Sequence, residues 1–208
     1  MMHDQNPFLA FVWSGWTATW PTALLALIWA VWLISWGIGS FFSGRTEKHV
    51  RTWDSRAYRI PILAGAVLLT PWTERILGVQ PLWNVGTGGT YLLAAVAVAG
   101  TLFTWWARIH LGRFWSNAIT RKEGHRVIDT GPYGLVRHPI YTGLIAAMLA
   151  TGIAVGTITA LLGTVLIAFG LWQKARMEEG FLTAELGAEA YGSYCHRVPM
   201  LVPFLPQS

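Results

Sequence analysis

Residues 131–143 read Gly-Pro-Tyr-Gly-Leu-Val-Arg-His-Pro-Ile-Tyr-Thr-Gly and lead directly into a long apolar run. Charged and titratable side chains are costly beside lipid, so a cluster of them at the start of such a run indicates a functional site. Pro139 is favourable as the first residue of a helix, because its missing N–H would have no intrahelical partner there. We therefore expect a helix that begins at Pro139, with His138 as its cap.

The composition is that of a membrane protein. Of the 208 residues, 53% are apolar and 12% are charged, whereas soluble domains carry about 25% charged residues. The 13 Trp residues suit membrane–water interfaces, where indole rings are enriched. A net charge of +5 is compatible with nucleic-acid binding in a soluble protein. In a membrane chain the distribution of the charge is more informative, and we expect no nucleic-acid partner.

Five apolar segments predict an all-α membrane bundle of about five transmembrane helices. They are residues 21–42, 58–72, 89–109, 140–155 and 157–172. The first is long enough to cross about 30 Å of hydrocarbon. The second is short, and the pattern places Pro61 and Pro71 at its ends. Only Gly156 separates the last two segments, which predicts a tight helical hairpin.

The Lys and Arg residues predict the topology. Five lie between the first two segments or at the start of the second, six lie at the end of the third or between it and the fourth, and three follow the fifth, while Arg75 alone lies on the other side. The positive-inside rule then places the N-terminus outside and the C-terminus in the cytoplasm, in an inner or plasma membrane.

A second polar group, residues 174–179, directly follows the fifth segment. Lys174 and Glu178 are four residues apart and share a helix face, whereas Arg176 lies about 200° from Lys174 around the helix. Alone, this pattern fits a helix end with an intrahelical ion pair. The hairpin, however, returns it to the membrane face that holds residues 137–141, which favours a binding site. We expect an amphipathic helix at residues 178–194 to close this site from the cytosol.

Six short motifs follow one another within residues 116–206. They are His125-x-Val127-Ile128, Gly131-x-Tyr133, Arg137-His138-Pro139-x-Tyr141-x-Gly143, Glu178-Glu179, Tyr191-x-x-Tyr194 and Arg197-Val198-Pro199. The ordered set, with a helical hairpin between its halves, is specific. In this set the chain resembles the isoprenylcysteine carboxyl methyltransferases and their prokaryotic relatives.

The length allows one compact unit, so we expect a single membrane domain, residues 1–208, with N-terminal helices at residues 1–110 and the cofactor-binding part at residues 111–208. The resemblance implies S-adenosylmethionine as the cofactor, bound without a Rossmann domain, and no metal. The cofactor-binding positions implied are Thr120, His125, Arg126, Val127, Ile128, Tyr133, Arg137, His138, Pro139, Ile140, Tyr141, Glu178 and Glu179. The catalytic positions implied are Lys174, Arg176 and Glu178.

One position departs from the family pattern. Lys174 stands where the family has an arginine that orients the substrate carboxylate, and lysine supplies a charge but not a bidentate fork. We expect a lipid-like or prenylated acceptor that enters from the bilayer, with membrane lipids as further partners. Three alternatives stay open at this point. They are a methyltransferase for phospholipids or other small lipids, a sterol-reductase-type NADPH enzyme, and a non-enzymatic membrane scaffold or transporter.

Overall fold

The computed structural model describes residues 20–41, 46–49, 52–112, 115, 120–122 and 127–205. These residues form seven α-helices, two short strands and one 3₁₀ turn. In chain order they are α1 (Trp20–Ser40), β1 (Thr46–His49), α2 (Thr52–Leu68), α3 (Pro71–Leu77), α4 (Gly86–Leu111), β2 (Thr120–Lys122), the 3₁₀ turn (Gly131–Gly134), α5 (Pro139–Val155), α6 (Ile158–Leu186) and α7 (Ala188–Arg197).

Three helices in the described residues are long and apolar enough to cross a membrane. They contain the windows Ala23–Ser40, Gly86–Leu111 and Ile158–Glu185, in α1, α4 and α6. Together α2 and α3 meet the same criterion, but they are bent by 68° at the break between them. The apolar helix α5 has 17 residues, which is at the short end for a span. The expected helical membrane bundle is confirmed, with three or four spans by length and composition.

The second apolar segment folds differently from the sequence prediction. Pro61 lies inside α2 rather than at a helix end. Pro71 is in the first turn of α3, where Thr70 caps the helix by accepting a hydrogen bond from the Thr73 N–H at 3.4 Å. The break therefore falls where a capping hydroxyl precedes a proline, a combination that starts a helix.

The hairpin between α5 and α6 forms as predicted. Gly156 ends α5 in the left-handed conformation, with φ of 74°, which glycine adopts without steric cost. Thr157 then caps α6 by accepting from the N–H of Ala160 at 3.2 Å. The predicted C-terminal helix is present, but it spans Ala188–Arg197 rather than residues 178–194, because α6 continues to Leu186. The break comes at Gly187, whose φ of 93° is open to glycine but not to most side chains.

Glycines allow the helices to cross closely. A Cβ atom on Gly100 of α4 would lie 2.6 Å from the carbonyl oxygen of Gly143 in α5, and one on Gly143 would lie 2.5 Å from that of Gly100. Helices α2 and α6 cross in the same way at Gly65 and Gly163. Small residues at such crossings let backbones approach each other in membrane bundles. Gly143 thus accommodates a neighbouring helix.

The N-terminal helix is fastened to the same bundle by polar contacts. Trp29 and Trp32 of α1 donate their indole N–H groups to Thr151 and Thr104 at 3.0 and 2.9 Å. At the end of α1, the carbonyl of Gly39 accepts a hydrogen bond from Arg108 of α4. Beyond these helices β1 and β2 pair antiparallel, an element that the sequence analysis did not predict. The pairing brings the first two basic loops of the chain to one side of the bundle.

Candidate active site

The site is built around the first turn of α5. His138 is the N-cap, Pro139 is the first helical residue, and the side chain of His138 makes no capping hydrogen bond. The arrangement expected from the sequence is therefore present. The first N–H groups of a helix have no intrahelical partner, so the backbone of Ile140 and Tyr141 offers donors with partial positive charge.

His138 lies between two carboxylates of α6. Its Nδ1 is 3.4 Å from Glu178 Oε2 and its Nε2 is 3.1 Å from Glu179 Oε1. The side chain is buried, 7% exposed. Burial alone lowers the pKa of His138, but the hydrogen bonds to Glu178 and Glu179 outweigh burial and raise the pKa above its ordinary value. The two contacts of the imidazole, with Glu178 and with Glu179, join α5 to α6.

Tyr141 completes the contact with Glu178. Its hydroxyl donates to Glu178 Oε1 at 2.6 Å, and its ring stacks on the imidazole of His138 with centroids 5.4 Å apart and an interplanar angle of 4°. Both side chains therefore approach Glu178 from the same turn of α5. The partly buried Glu178 carboxylate thus contacts the Tyr141 hydroxyl and the His138 imidazole, and contacts to a charged group are stronger where water is largely excluded.

Arg137 connects Glu179 to the C-terminal tail. Its Nε donates to Glu179 Oε1 at 2.6 Å, and its Nη1 donates to the carbonyls of Cys195 and Val198, each at 2.7 Å. Burial lowers the pKa of Arg137, but the hydrogen bond to Glu179 outweighs burial, so the pKa is raised overall. The guanidinium thus stays charged and fastens the end of α7 to the site.

The tail continues along the start of α5 as an extended segment. The backbone N–H groups of Arg137 and His138 donate to the carbonyls of Pro199 and Met200 at 2.8 and 3.1 Å. One turn further, the hydroxyl of Thr142 donates to the carbonyl of Leu201 at 2.7 Å. Residues 197–201 therefore cover the site from outside the bundle, which is the closing role that the sequence assigned to a surface helix.

Lys174 reaches this cluster and Arg176 does not. Lys174 Nζ is 3.9 Å from Glu178 Oε1 and 5.3 Å from the centre of the Tyr141 ring. The exposed Arg176 lies over the ring of Trp172 at 5.8 Å. The 200° separation on the helix explains the difference. Of the two candidate cations for the acceptor, the structure brings only Lys174 to the site.

The preceding loop packs beneath the cluster. Val127 contacts a buried group formed by Tyr191, Tyr194 and Val198. Ile128 packs against the main core, which includes Tyr133 and the buried Ile140. The carbonyl of Tyr133 accepts from the hydroxyl of Tyr194 at 2.8 Å. His125 and Arg126 lie outside the described residues, and Thr120 is in β2 with no described side chain.

Sequence reasoning missed two aromatic neighbours of the site. The imidazole of His110, at the end of α4, stacks on the ring of Tyr133 with centroids 6.3 Å apart. Tyr58 of α2 lies 5.7 Å below Lys174 Nζ, measured to its ring centre. One available signal was that Tyr58 lies between Arg56 and Arg59, in the basic region predicted to share the membrane face of the site.

The hydrogen-bond donors and acceptors of the site fit a cofactor that carries a free amino-acid group and a sulfonium. The N-terminus of α5 suits a carboxylate, and the carboxylates of Glu178 and Glu179 suit hydroxyl, amino or cationic groups. No group of three or more metal-ligating side chains occurs in the described part of the chain.

Comparison with known proteins gives consistent matches. Residues 92–184 match the isoprenylcysteine carboxyl methyltransferase (ICMT) family. The protein-S-isoprenylcysteine O-methyltransferase of Schizosaccharomyces pombe is 29% identical over 106 residues, which cover 48% of this chain and 43% of that protein. The protein-S-isoprenylcysteine O-methyltransferase B of Arabidopsis thaliana is 27% identical over 131 residues, which cover 62% of this chain and 64% of that protein.

The matched regions thus cover about half of the two relatives. The resemblance expected from the sequence motifs is confirmed, since both relatives and the family match agree with it. The matched residues 92–184 include Tyr133, the α5 cluster, Lys174, Glu178 and Glu179. They exclude α1, α2, α7 and the tail.

Proposed function

Because residues 92–184 carry the sequence pattern of the isoprenylcysteine carboxyl methyltransferase family, we propose that this membrane protein is an S-adenosylmethionine-dependent methyltransferase. Its acceptor is the carboxylate of a prenylated cysteine or a similar lipid-like compound. The observation that carries the proposal is the contact of His138 and Tyr141 with Glu178. It assembles, at a helix N-terminus inside the matched region, the groups that a sulfonium amino acid requires.

In this proposal α5, α6 and the preceding loop would hold the cofactor. The N–H groups of Ile140 and Tyr141 in the first turn of α5 would bind its carboxylate, and Glu178 would accept a hydrogen bond from it. The apolar side chains of Val127 and Ile128, with the buried Tyr133, form the floor of the site. His138 and Arg137 hold Glu178 and Glu179 in place, and so act mainly by orienting acceptors.

A carboxylate acceptor needs no base, because it is already ionised near neutral pH. The bound cofactor supplies an electrophilic methyl group on a sulfonium. A carboxylate oxygen would form the new O–CH₃ bond while the S–CH₃ bond breaks with its electrons left on sulfur. The products would be a methyl ester and a neutral thioether, with no proton transferred. Lys174 steers the carboxylate, and the tail at residues 197–201 limits access of water.

An amine acceptor is disfavoured by the same geometry, because its methylation needs a base. The imidazole of His138 has both nitrogens in contact with carboxylates, and these contacts raise its pKa, which favours the protonated form over the free base. Glu178 accepts from Tyr141, and Glu179 accepts from Arg137. Each candidate base is therefore already committed to a partner.

The proposed orientation places the site in the cytoplasm and the N-terminus outside. The distribution of Lys and Arg along the chain favours it. The pairing of β1 with β2 supports it, because the two basic loops of which they are part lie together. The cofactor would enter from the cytosol, and the lipid tail of the acceptor from the bilayer.

An acceptor screen with methyl-labelled S-adenosylmethionine tests the proposal. The detergent-purified protein is given N-acetyl-S-farnesylcysteine, its preformed methyl ester and phosphatidylethanolamine. We expect label to enter only the free acid and to be released by base as methanol, as for an ester. Labelling of phosphatidylethanolamine alone would show that the acceptor is a phospholipid amine and not a carboxylate. The absence of any labelled product would overturn the proposal.

A further inference from the structure

Helix α2, outside the matched residues 92–184, contributes one side chain to the site. Tyr58 is 5% exposed. Its position is set by a tight crossing, because a Cβ on Gly170 of α6 would lie 2.8 Å from the backbone carbonyl oxygen of Tyr58. Lys174 is one helical turn beyond Gly170 and faces the same way. The backbone contact therefore fixes the Tyr58 ring against the Lys174 side chain.

The Lys174 ammonium has aromatic rings on both helices that flank α6. Its Nζ is 5.7 Å from the ring centre of Tyr58 and 5.3 Å from that of Tyr141. Both distances are within the range of a cation–π contact, about 6 Å. A lysine side chain has four flexible methylene groups and a strongly hydrated head. Two ring faces together with Glu178, 3.9 Å away, restrict the positions that this head can occupy.

A second cation, Arg59, also lies near the ring of Tyr58. The guanidinium carbon of Arg59 is 5.8 Å from the ring centre of Tyr58, so the ring lies close to the positive groups at both Lys174 and Arg59. Tyr58 therefore does more than pack α2 against α6, because the face of its ring attracts positive charge beside Lys174.

We propose that Tyr58 is a positioning residue for the methyl acceptor, which holds the ammonium of Lys174 where it binds the acceptor's anionic group. This inference rests on the proposed function, since it refines how that site binds its acceptor. It also gives α2 a direct role in substrate preference. The Tyr58 ring restricts the position of the Lys174 ammonium, and so partly replaces the rigid geometry that an arginine side chain would have at this position.

The test compares binding of N-acetyl-S-farnesylcysteine with binding of its uncharged methyl ester, by calorimetry. The wild type should prefer the acid. Tyr58→Leu should reduce that preference about tenfold, as expected for the loss of a partly desolvated cation–π contact, while binding of S-adenosylhomocysteine stays within about twofold. Tyr58→Phe keeps the ring face and should retain most of the preference. In turnover, Tyr58→Leu should raise the acceptor KM more than it lowers kcat.

The matched control is Tyr91→Leu, because Tyr91 of α4 is 49% exposed and remote from the cluster in the described contacts. It should leave the preference for the acid unchanged. If Tyr58→Leu does not fold, Tyr58→Met fills the space without a ring face and serves in its place. An unchanged preference in the folded variant, or a loss in Tyr58→Phe as large as in Tyr58→Leu, would overturn the role of the ring.

The outcomes also separate this inference from the proposed function. A wild type that binds the acid but transfers no methyl group contradicts the proposed function, while the variants still decide the role of Tyr58. A wild type that binds neither acid nor ester contradicts both.

Discussion

The hydroxyl of Tyr141 donates to the carboxylate of Glu178 at 2.6 Å across 37 residues of sequence. The contact joins the first turn of α5 to the C-terminal third of α6. These two helices are the arms of the hairpin that turns at Gly156. The hairpin returns these polar side chains to the same end of the bundle. His138 contacts the same carboxylate. The Glu178 carboxylate, which we propose as a hydrogen-bond acceptor for the cofactor, is therefore held in position by the protein's own side chains.

Replacing Glu178 by glutamine should weaken S-adenosylhomocysteine binding by about tenfold or more. The neutral amide accepts weaker hydrogen bonds and leaves His138 with one carboxylate partner, and a bond to a charged group contributes about 1.5–3 kcal/mol. The measurement is calorimetric titration of the detergent-purified variant. Glu189→Gln, at an exposed position of α7, is the control and should bind normally. Equal affinity in both variants would contradict the assignment of Glu178.

Arg137→Lys should loosen the tail. Lysine cannot reproduce the three contacts of the guanidinium with Glu179, Cys195 and Val198, and the cost of losing such bonds is about 2 kcal/mol. The midpoint of thermal unfolding in detergent should fall by about 5 °C or more, and hydrogen exchange at residues 195–201 should become faster.

The control for the tail is Arg197→Lys. Arg197 pairs with Asp129 at 3.0 Å, but the two side chains are 59% and 44% exposed, and such surface pairs contribute about 0–1 kcal/mol. This variant should unfold close to the wild-type temperature. A larger loss of stability from Arg197→Lys than from Arg137→Lys would show that the fastening of the tail has been misassigned.

Stability should depend on the protonation of His138. Its pKa is raised in the folded protein, so the native state binds this proton more tightly than the unfolded chain does. The stabilisation is complete below the ordinary pKa of about 6.5, and it is lost as the pH rises through the raised value. Wild-type protein should therefore unfold at lower temperature near pH 9 than near pH 6, by a margin that His138→Gln reduces. Parallel pH profiles for the two proteins would refute this linkage.

Gly100→Ala should destabilise the bundle. The new methyl would lie 2.6 Å from the carbonyl oxygen of Gly143, so the crossing of α4 and α5 must widen at a cost of about 1–3 kcal/mol. Gly88→Ala, earlier in α4, meets no atom within 4 Å and should be neutral or stabilising by up to about 1 kcal/mol. The unfolding midpoint in detergent should therefore fall for Gly100→Ala and stay level or rise for Gly88→Ala. A pair of equal midpoints would argue against a close crossing.

Local signals predicted much of the centre of the site. A proline at the first helical position and a glycine between two apolar segments act within a few residues, so the start of α5 at Pro139 and the turn at Gly156 followed from sequence. The same holds for the contact of Lys174 with Glu178, since both lie on one helix face. The long course of α6 was not predicted, because polar side chains at residues 174–179 ended the apolar pattern although the helix continues to Leu186.

Contacts between distant segments were beyond local signals. Arg137 bonds to the carbonyl of Val198 across 61 residues, and nothing near either residue in the sequence specifies the other. Tyr58 likewise reaches Lys174 through the crossing of α2 at Gly170, which depends on how two helices pack. The N-terminal helices therefore had no predicted role in the site, although α2 contributes one of its rings.

Calorimetric titration of the purified protein with S-adenosylhomocysteine, with NADPH as the parallel ligand, decides whether a sulfonium cofactor binds at the junction of α5 and α6. We expect saturable one-to-one binding of S-adenosylhomocysteine and none of NADPH. Binding of NADPH alone would instead indicate a reductase, and binding of neither would contradict a cofactor site at the junction of α5 and α6.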